Sequence, residues 1–235
     1  MTLAAFLLVT ASASAQDSPL WLRKNAISPD GEQIAFTYKG NIYVVDSDGG
    51  QARQITTNPS YDTDPLWSPD GKSIIFASYR NKSKDIYRIP ATGGAPVRLT
   101  SHPGNETPMT VLLDGNIIFS ANIQQDARYG DFPGRSQVYM IGPEGGRPEM
   151  VTSMQVSNMS VGLDNTVIFE DYKGYEDPLR KHHTSSVTRD IWMYVPSKDP
   201  SEDFSIDGNG TFTKLTSFKG EDRNPVFELG GNAYY

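Results

Sequence analysis

The stretch Tyr61-Asp62-Thr63-Asp64-Pro65-Leu66-Trp67-Ser68-Pro69-Asp70-Gly71-Lys72-Ser73-Ile74-Ile75-Phe76, followed by Asp85-Ile86-Tyr87, Gly93-Gly94 and Leu99-Thr100, carries the pattern that decides the fold. In Ser68-Pro69-Asp70-Gly71, proline presets φ for the second position of a type I turn. Glycine takes the left-handed position after it, which is hairpin chemistry. The signal returns at Ser28-Pro29-Asp30-Gly31, Leu113-Asp114-Gly115-Asn116 and Leu163-Asp164-Asn165. Each turn leads into a short apolar strand centred on an aromatic: Ile34-Ala35-Phe36, Ile74-Ile75-Phe76, Ile117-Ile118-Phe119 and Val167-Ile168-Phe169. A further strand follows at Ile42-Tyr43, Ile86-Tyr87, Val138-Tyr139 and Ile191-Trp192.

From each of the three tyrosines it is 6 residues to a glycine pair, at Gly49-Gly50, Gly93-Gly94 and Gly145-Gly146, and 6 more to Ile55-Thr56, Leu99-Thr100 and Val151-Thr152. The unit therefore reads as four antiparallel strands. The turn aspartates recur at intervals of 40, 44 and 50 residues, the size of a propeller blade with lengthening loops. No segment has a helical period. A β-sandwich is the competing architecture for many short strands, but it does not need one four-strand unit repeated in register. The fold class read from the sequence is an all-β propeller of four-stranded blades, with a domain over 18–235. Its blades are expected near 20–57, 62–101, 107–153 and 156–217, and a further one opens at 222–235. In the fourth unit an insertion from Pro196 to Gly210, rich in Asp, Ser and Gly, replaces the glycine pair. The repeat makes Tyr234-Tyr235 part of a Phe-type strand, so the sequence is expected to be a piece of a longer propeller.

With 37% hydrophobic and 21% charged residues in 235, the composition suits a soluble domain with a core of its own. A net charge of −7, with no cluster of Lys and Arg, argues against a nucleic-acid partner. Residues 1–15 read as a signal peptide, with Leu3 to Val9 as the apolar region and Ala13-Ser14-Ala15 as the cleavage site. The run is too short to span a bilayer, so an exported, periplasmic or extracellular protein without a membrane span is expected. Cysteine is absent, which excludes a disulfide framework and thiolate chemistry.

The spacing from Phe to Tyr within a unit measures the loop joining its two middle strands, and it grows from 7 to 11, 20 and 23 residues along the chain. These loops are expected on one rim and the glycine turns on the other, and long loops on a rigid scaffold are where binding usually lives. The third loop, Ala121 to Gln137, carries Tyr129, Phe132 and Arg135. The fourth, Asp171 to Asp190, carries Tyr172, Tyr175, His182 and His183. Aromatics and paired charges of this kind suit contact with a peptide or protein, and these seven residues form the candidate partner surface.

Catalytic and metal roles find no support in the motifs. Adjacent His182 and His183 point to opposite sides of an extended chain and cannot chelate one ion as a helical i, i+4 pair would. Ser185, Ser186 and Asp190 lie near them in sequence, but no nucleophile-elbow motif is present. The glycine pairs open no helix that could hold a phosphate. Asp62-Thr63-Asp64 and the run from Asp199 to Asp207 lack the spacing of a calcium loop. No catalytic residue, metal ligand or cofactor is expected within these residues.

The unit from Tyr61 to Lys72 with Asp85-Ile86-Tyr87 and Gly93-Gly94 resembles the repeat shared by TolB and the tricorn-type peptidases. More specific are Phe132-Pro133 to Gln137-Val138-Tyr139, Tyr172 to Asp177, Arg180-Lys181-His182-His183-Thr184-Ser185-Ser186 through Trp192, Leu215-Thr216-Ser217-Phe218 and Glu221 to Pro225. These are similar to the amino-terminal propeller of exported tricorn-like serine peptidases of the S41 class, over Ser18 to Tyr235. The resemblance implies a longer parent with further blades, a PDZ domain and a catalytic domain, none of which falls within this sequence. It implies a non-catalytic propeller that gates or binds peptide substrate or supports assembly. Its partners would be peptide or protein substrate, the remaining domains of the parent chain and further copies in a homo-oligomer. Two alternatives share the repeat: a non-enzymatic TolB-like platform for protein interaction, and a propeller attached to an amidohydrolase.

Overall fold

The computed structural model describes residues 21–123, 136–172, 188–197, 204–206, 209–218, 220–227 and 232–234; the leader read at 1–15 lies outside them. Four strands make each of four antiparallel sheets, joined in sequence order. The first sheet holds β1 (Arg23–Ile27), β2 (Gln33–Tyr38), β3 (Asn41–Asp46) and β4 (Arg53–Gln54). The second holds β5 (Asp62–Trp67), β6 (Ser73–Ser78), β7 (Asp85–Pro90) and β8 (Val97–Arg98). The third holds β9 (Glu106–Val111), β10 (Ile117–Ala121), β11 (Gln137–Ile141) and β12 (Glu149–Thr152). The fourth holds β13 (Val156–Val161), β14 (Val167–Asp171), β15 (Ile191–Val195) and β16 (Thr211–Lys214). A two-stranded sheet follows, β17 (Val226–Phe227) with β18 (Ala233–Tyr234).

The sheets meet through their first strands: β5 touches β1 and β9, β9 touches β13, and β13 touches β17. Sheets that follow one another in this way are the blades of a propeller; a sandwich would set two sheets face to face. No helix among the described residues is long and apolar enough to cross a membrane.

The turns form for local reasons. The N–H of Gly31 and of Gly71 donates to the carbonyl of Ser28 and of Ser68, each at 2.9 Å. Both glycines have positive φ, 77° and 67°, where a Cβ would be strained. The Asp70 carboxylate accepts the Ser68 hydroxyl at 2.7 Å and the Lys72 N–H at 3.0 Å, and Ser28 with Asp30 repeats the device. The threonine that closes the first, second and fourth units acts on a strand 14 to 25 residues earlier. Thr56, Thr100 and Thr216 accept the N–H of Ile42, Ile86 and Ile191 through Oγ1, at 3.0, 2.9 and 3.0 Å. A hydroxyl thus replaces a carbonyl where the short outer strand has ended, and no buried N–H is orphaned.

The register sets aromatics opposite one another: Phe36 faces Tyr43, Phe76 faces Tyr87, Phe119 faces Tyr139 and Phe169 faces Trp192. In the first three pairs the ring centroids lie 5.8 Å apart, within the range of favourable aromatic contact. The expectation that Phe36, Phe76, Phe119, Phe169 and Trp67 are buried holds, with exposures of 9%, 0%, 0%, 4% and 7%.

The cores lie between blades. Phe76, Tyr87, Ile74 and Ile89 of the second blade pack on Ala35, Ile42 and Val44 of the first. One residue along each strand, Ile75 and Ile86 face the third blade and meet Phe119, Tyr139, Ile117 and Ile141. Between the third and fourth blades, Ile118 and Val138 meet Val167, Phe169 and Tyr194. The period-two alternation of a strand therefore feeds two different cores. The Trp67 indole N–H adds a polar tie across the first junction, donating to the Ala26 carbonyl at 3.0 Å. Gly145, at φ +83°, sits where a Cβ would come 2.9 Å from the Leu99 carbonyl oxygen, so its lack of a side chain lets two blades close up.

The insertion between Pro196 and Gly210 has a structural part that its polar composition hides. Phe204 and Ile206 are buried and join the core between the third and fourth blades.

Phe119→Ala should destabilise the chain by about 3–5 kcal/mol in urea unfolding, as loss of a fully buried aromatic does. Leu113→Ala, at an exposed turn position, should change stability by no more than about 0.5 kcal/mol.

Candidate functional site

Four hydrogen bonds mark the rim from which the long loops leave. The N–H of Asp62 donates to Gly40 O at 2.8 Å and that of Glu106 to Lys84 O at 2.7 Å. Tyr172 donates to Gln155 O at 3.0 Å and Asp222 to Arg189 O at 3.1 Å. Each ties the middle loop of a blade to a blade-to-blade connection, so both kinds of segment share this rim. β10 ends here at Ala121 and β14 at Asp171. The glycine and Pro-Asp-Gly turns lie at the other ends of the same strands.

Of the seven residues that the sequence marks as a partner surface, Tyr172 is described. Tyr129, Phe132, Arg135, Tyr175, His182 and His183 lie outside the described residues. The Tyr172 ring lies under the Arg189 guanidinium, 5.2 Å from its carbon, which holds the root of the fourth loop by a cation–π contact.

Below the loop roots, bulges in the first strands turn polar side chains inward. Each first strand slips register against its neighbour, and at two of these points Lys24 and Asp64 adopt φ of 46° and 53°. An extra residue per bulge re-aims a side chain. Asp64 then receives two cations, Lys24 Nζ at 3.5 Å and Lys84 Nζ at 3.7 Å. Burial lowers the Lys84 pKa against the pull of Asp64. Beside them the fully buried Asp62 meets Arg80 at 2.9 Å, and the Arg80 guanidinium covers the Phe76 and Tyr87 rings at 5.5 and 5.2 Å.

The most fully bonded group on this rim is Glu170. Its carboxylate accepts from Ser157 Oγ at 2.6 Å, Arg189 Nη1 at 3.0 Å, Asn158 Nδ2 at 2.5 Å and the Asn224 backbone N–H at 2.6 Å. Burial by itself would raise this carboxyl's pKa. The Asn224 N–H, with Ser157, Asn158 and Arg189, outweighs it and holds the value below the ordinary glutamate range. Glu170 thereby joins β13, β14 and the approach to β17. Sequence reasoning missed it, although a signal existed: the positions after Phe36, Phe76 and Phe119 hold Thr37, Ala77 and Ser120, and the charge appears in the fourth unit alone.

This chemistry fixes geometry. The carboxylates Asp62, Asp85, Glu170 and Asp190 are matched by Arg80, Arg98, Arg189 and Lys214, all within 3.0 Å. Among the described residues no group of three or more His, Cys, Asp or Glu is placed to hold a metal ion. His102 is the one described histidine, and its Nδ1 accepts the Gly104 N–H at 3.0 Å.

A cleft of about 330 Å³ opens on the opposite rim between the turns of the second and third blades. Ile75 and Ile117 line it together with Asp70, Asp114 and Arg88, whose Nη1 donates to Pro143 O at 2.8 Å and Nη2 to Glu144 Oε2 at 2.8 Å.

Residues 19–235 match the family described as the tricorn protease N-terminal beta propeller domain. The chain belongs to that family. Tricorn protease homolog 1 of Streptomyces coelicolor is 32% identical over 166 residues, which are 70% of this chain and 15% of that protein. An uncharacterized protein of Agrobacterium fabrum, Atu1656, is 31% identical over 134 residues, covering 54% of this chain and 42% of its own length. The chain thus spans less than half of either relative. Among solved structures, the tricorn protease crystal structure aligns with a TM-score of 0.67 at 20% identity, over 89% of this chain and 20% of that one. The putative TolB of Agrobacterium tumefaciens aligns with a TM-score of 0.63 at 23% identity, over 90% and 72%. At these identities the likeness is one of fold.

Glu170→Gln should cost about 3 kcal/mol at neutral pH, because it leaves Arg189 facing a neutral group. The wild-type carboxyl's pKa is lowered in the folded state, so its contribution is present above the unfolded glutamate value and is lost as pH falls through the folded one. Urea unfolding between pH 7 and pH 3 should show that acid loss in the wild type and a shallower one in the variant.

Proposed function

We propose that this propeller is a non-catalytic part of a tricorn-like serine peptidase of the S41 class, exported behind a leader at 1–15, with its propeller domain over 18–235. Its long-loop rim binds or gates peptide substrate and docks the remaining domains of the parent chain or a further copy. The observation that carries the reading is the family match over residues 19–235 combined with the placement of both long-loop roots on one ion-paired rim. A rigid base under long aromatic and charged loops is how a scaffold presents a binding surface without ordering it at each encounter. On this reading Tyr129, Phe132, Arg135, Tyr172, Tyr175, His182 and His183 face the partner.

A second reading is favoured by one observation. TolB of Bordetella pertussis is 46% identical over 54 residues, 23% of this chain and 12% of that protein. It makes the same rim a platform for a folded protein partner in the periplasm.

Labelled casein-derived peptides and fluorescence anisotropy separate the two. The chain should bind peptides, and replacing 124–135 or 174–187 by Gly-Ser linkers should weaken binding at least about tenfold, the effect of a lost hot spot, while the melting temperature stays unchanged. Equal affinity with both loops replaced would overturn the peptide surface. Absence of peptide binding together with cross-linking to a folded periplasmic protein would support the platform. The chain should not hydrolyse casein, and turnover abolished by Ser185→Ala would overturn its non-catalytic role.

A further inference from the structure

Glu106 opens β9 at the junction of the second and third blades and is fully buried. Its backbone is well placed, with the N–H on Lys84 O at 2.7 Å, yet both carboxylate oxygens are shut off from water and only the Thr100 hydroxyl acts on them as a hydrogen-bond donor. The fully buried Asp85 of β7 lies close enough to act on it as a like charge, and Arg98 of β8 acts against that from a side chain 35% exposed. The Thr100 hydroxyl also accepts the Ile86 N–H at 2.9 Å, and its hydrogen bond to the carboxyl works against the effect of burial.

The other elements packed on β9 bring no further charge to the carboxyl. Strands β6, β10 and β13 contain no titratable residue, and Ala121 stands directly across from Glu106. Strand β5 brings Asp62 and Asp64, whose charges are taken up by Arg80 and by Lys24 and Lys84. An ionised carboxylate with a single hydroxyl donor for its two oxygens, cut off from water beside a second carboxylate, is an expensive arrangement, and a neutral carboxyl is the inexpensive one. Glu170 shows the opposite solution within the same fold, with four donors around its charge.

We propose that Glu106 is a buried proton-binding site that makes the junction of the second and third blades pH-sensitive, closed most firmly when the carboxyl is neutral and loosened when it ionises. Desolvation, with Asp85 beside it, raises the carboxyl pKa from 4.5 to about 7, which puts the transition between the ordinary glutamate range and neutrality. The direction follows from linkage. As pH rises from about 4.5 the unfolded chain releases this proton first, so folding must take one up and stability falls. Above about 7 both states are ionised and the penalty is complete.

Urea unfolding of the 235-residue chain at several pH values from 5 to 8 tests this against Glu106→Gln, which keeps the shape of a neutral carboxyl. The wild-type unfolding constant, divided by that of the variant, should rise on the order of a hundredfold across the range. At pH 8 the variant should be the more stable protein. Parallel pH profiles would overturn the proposal. Infrared difference spectra of the wild type between pH 6 and pH 8 give a second readout that needs no Glu106 variant. A protonated-carboxyl band should disappear with rising pH, and should disappear at lower pH in Asp85→Asn, where the like charge is gone. A spectrum without that band at pH 6 overturns the proposal. So does a rise in wild-type melting temperature with calcium at pH 8 that Glu106→Gln lacks, because the site would then hold a cation in place of a proton.

Discussion

No blade of this protein has a core of its own, and everything else follows from that constraint. A four-stranded sheet buries its faces by setting them against neighbouring sheets, so the Phe76–Tyr87 pair is covered by Ala35 and Val44 of the preceding blade. Its own reverse face, Ile75 and Ile86, covers Phe119 and Tyr139 of the next. Burying a large apolar side chain contributes about 1.5–3 kcal/mol, and here each such contribution requires two units at once. Stability is therefore a property of junctions. The strands beneath keep their register while the spacing between the middle strands grows through 7, 11, 20 and 23 residues.

The two rims express this differently. On the turn rim, Ser-Pro-Asp-Gly in the first two blades and the Asp114 and Asp164 turns in the next two close the hairpins with their own hydrogen bonds, so the geometry is set within a few residues. On the loop rim, geometry is set across the molecule. Asp64 gathers cations from β1 and from the loop before β7, and Glu170 ties β13 to Asn224, 54 residues further along. Lys24–Asp64 joins the first blade to the second, whereas Asp62–Arg80 and Glu170–Arg189 each brace the strands of one blade beneath its middle loop.

Buried carboxylates are the electrostatic theme of the long-loop rim, in two contrasting forms. Asp62 and Glu170 are matched by guanidinium groups, and Glu170 is bonded to the full. Glu106 is equally buried but has only the Thr100 hydroxyl as a donor and no cation paired with it. Water removal strengthens the first arrangement and penalises the second. The same rim thus contains rigid struts and one titratable weak point.

The repeat, the four-strand unit and the identity of the buried aromatics were legible in the sequence, because they rest on chemistry within a few residues: proline and glycine dihedrals and period-two alternation. Tyr172, read from the sequence as part of a partner surface, packs against Arg189 at the root of the fourth loop, a contact the sequence did not indicate. Tertiary structure alone decided the rest. Phe204 and Ile206 leave a polar insertion to join a core, Glu170 finds four donors 12 to 54 residues away, and Glu106 finds a single hydroxyl. Composition and spacing report what a side chain is and how its neighbours in sequence will turn. Whether a carboxylate is paired or orphaned depends on which blade closes over it, and that is settled only when the junctions form.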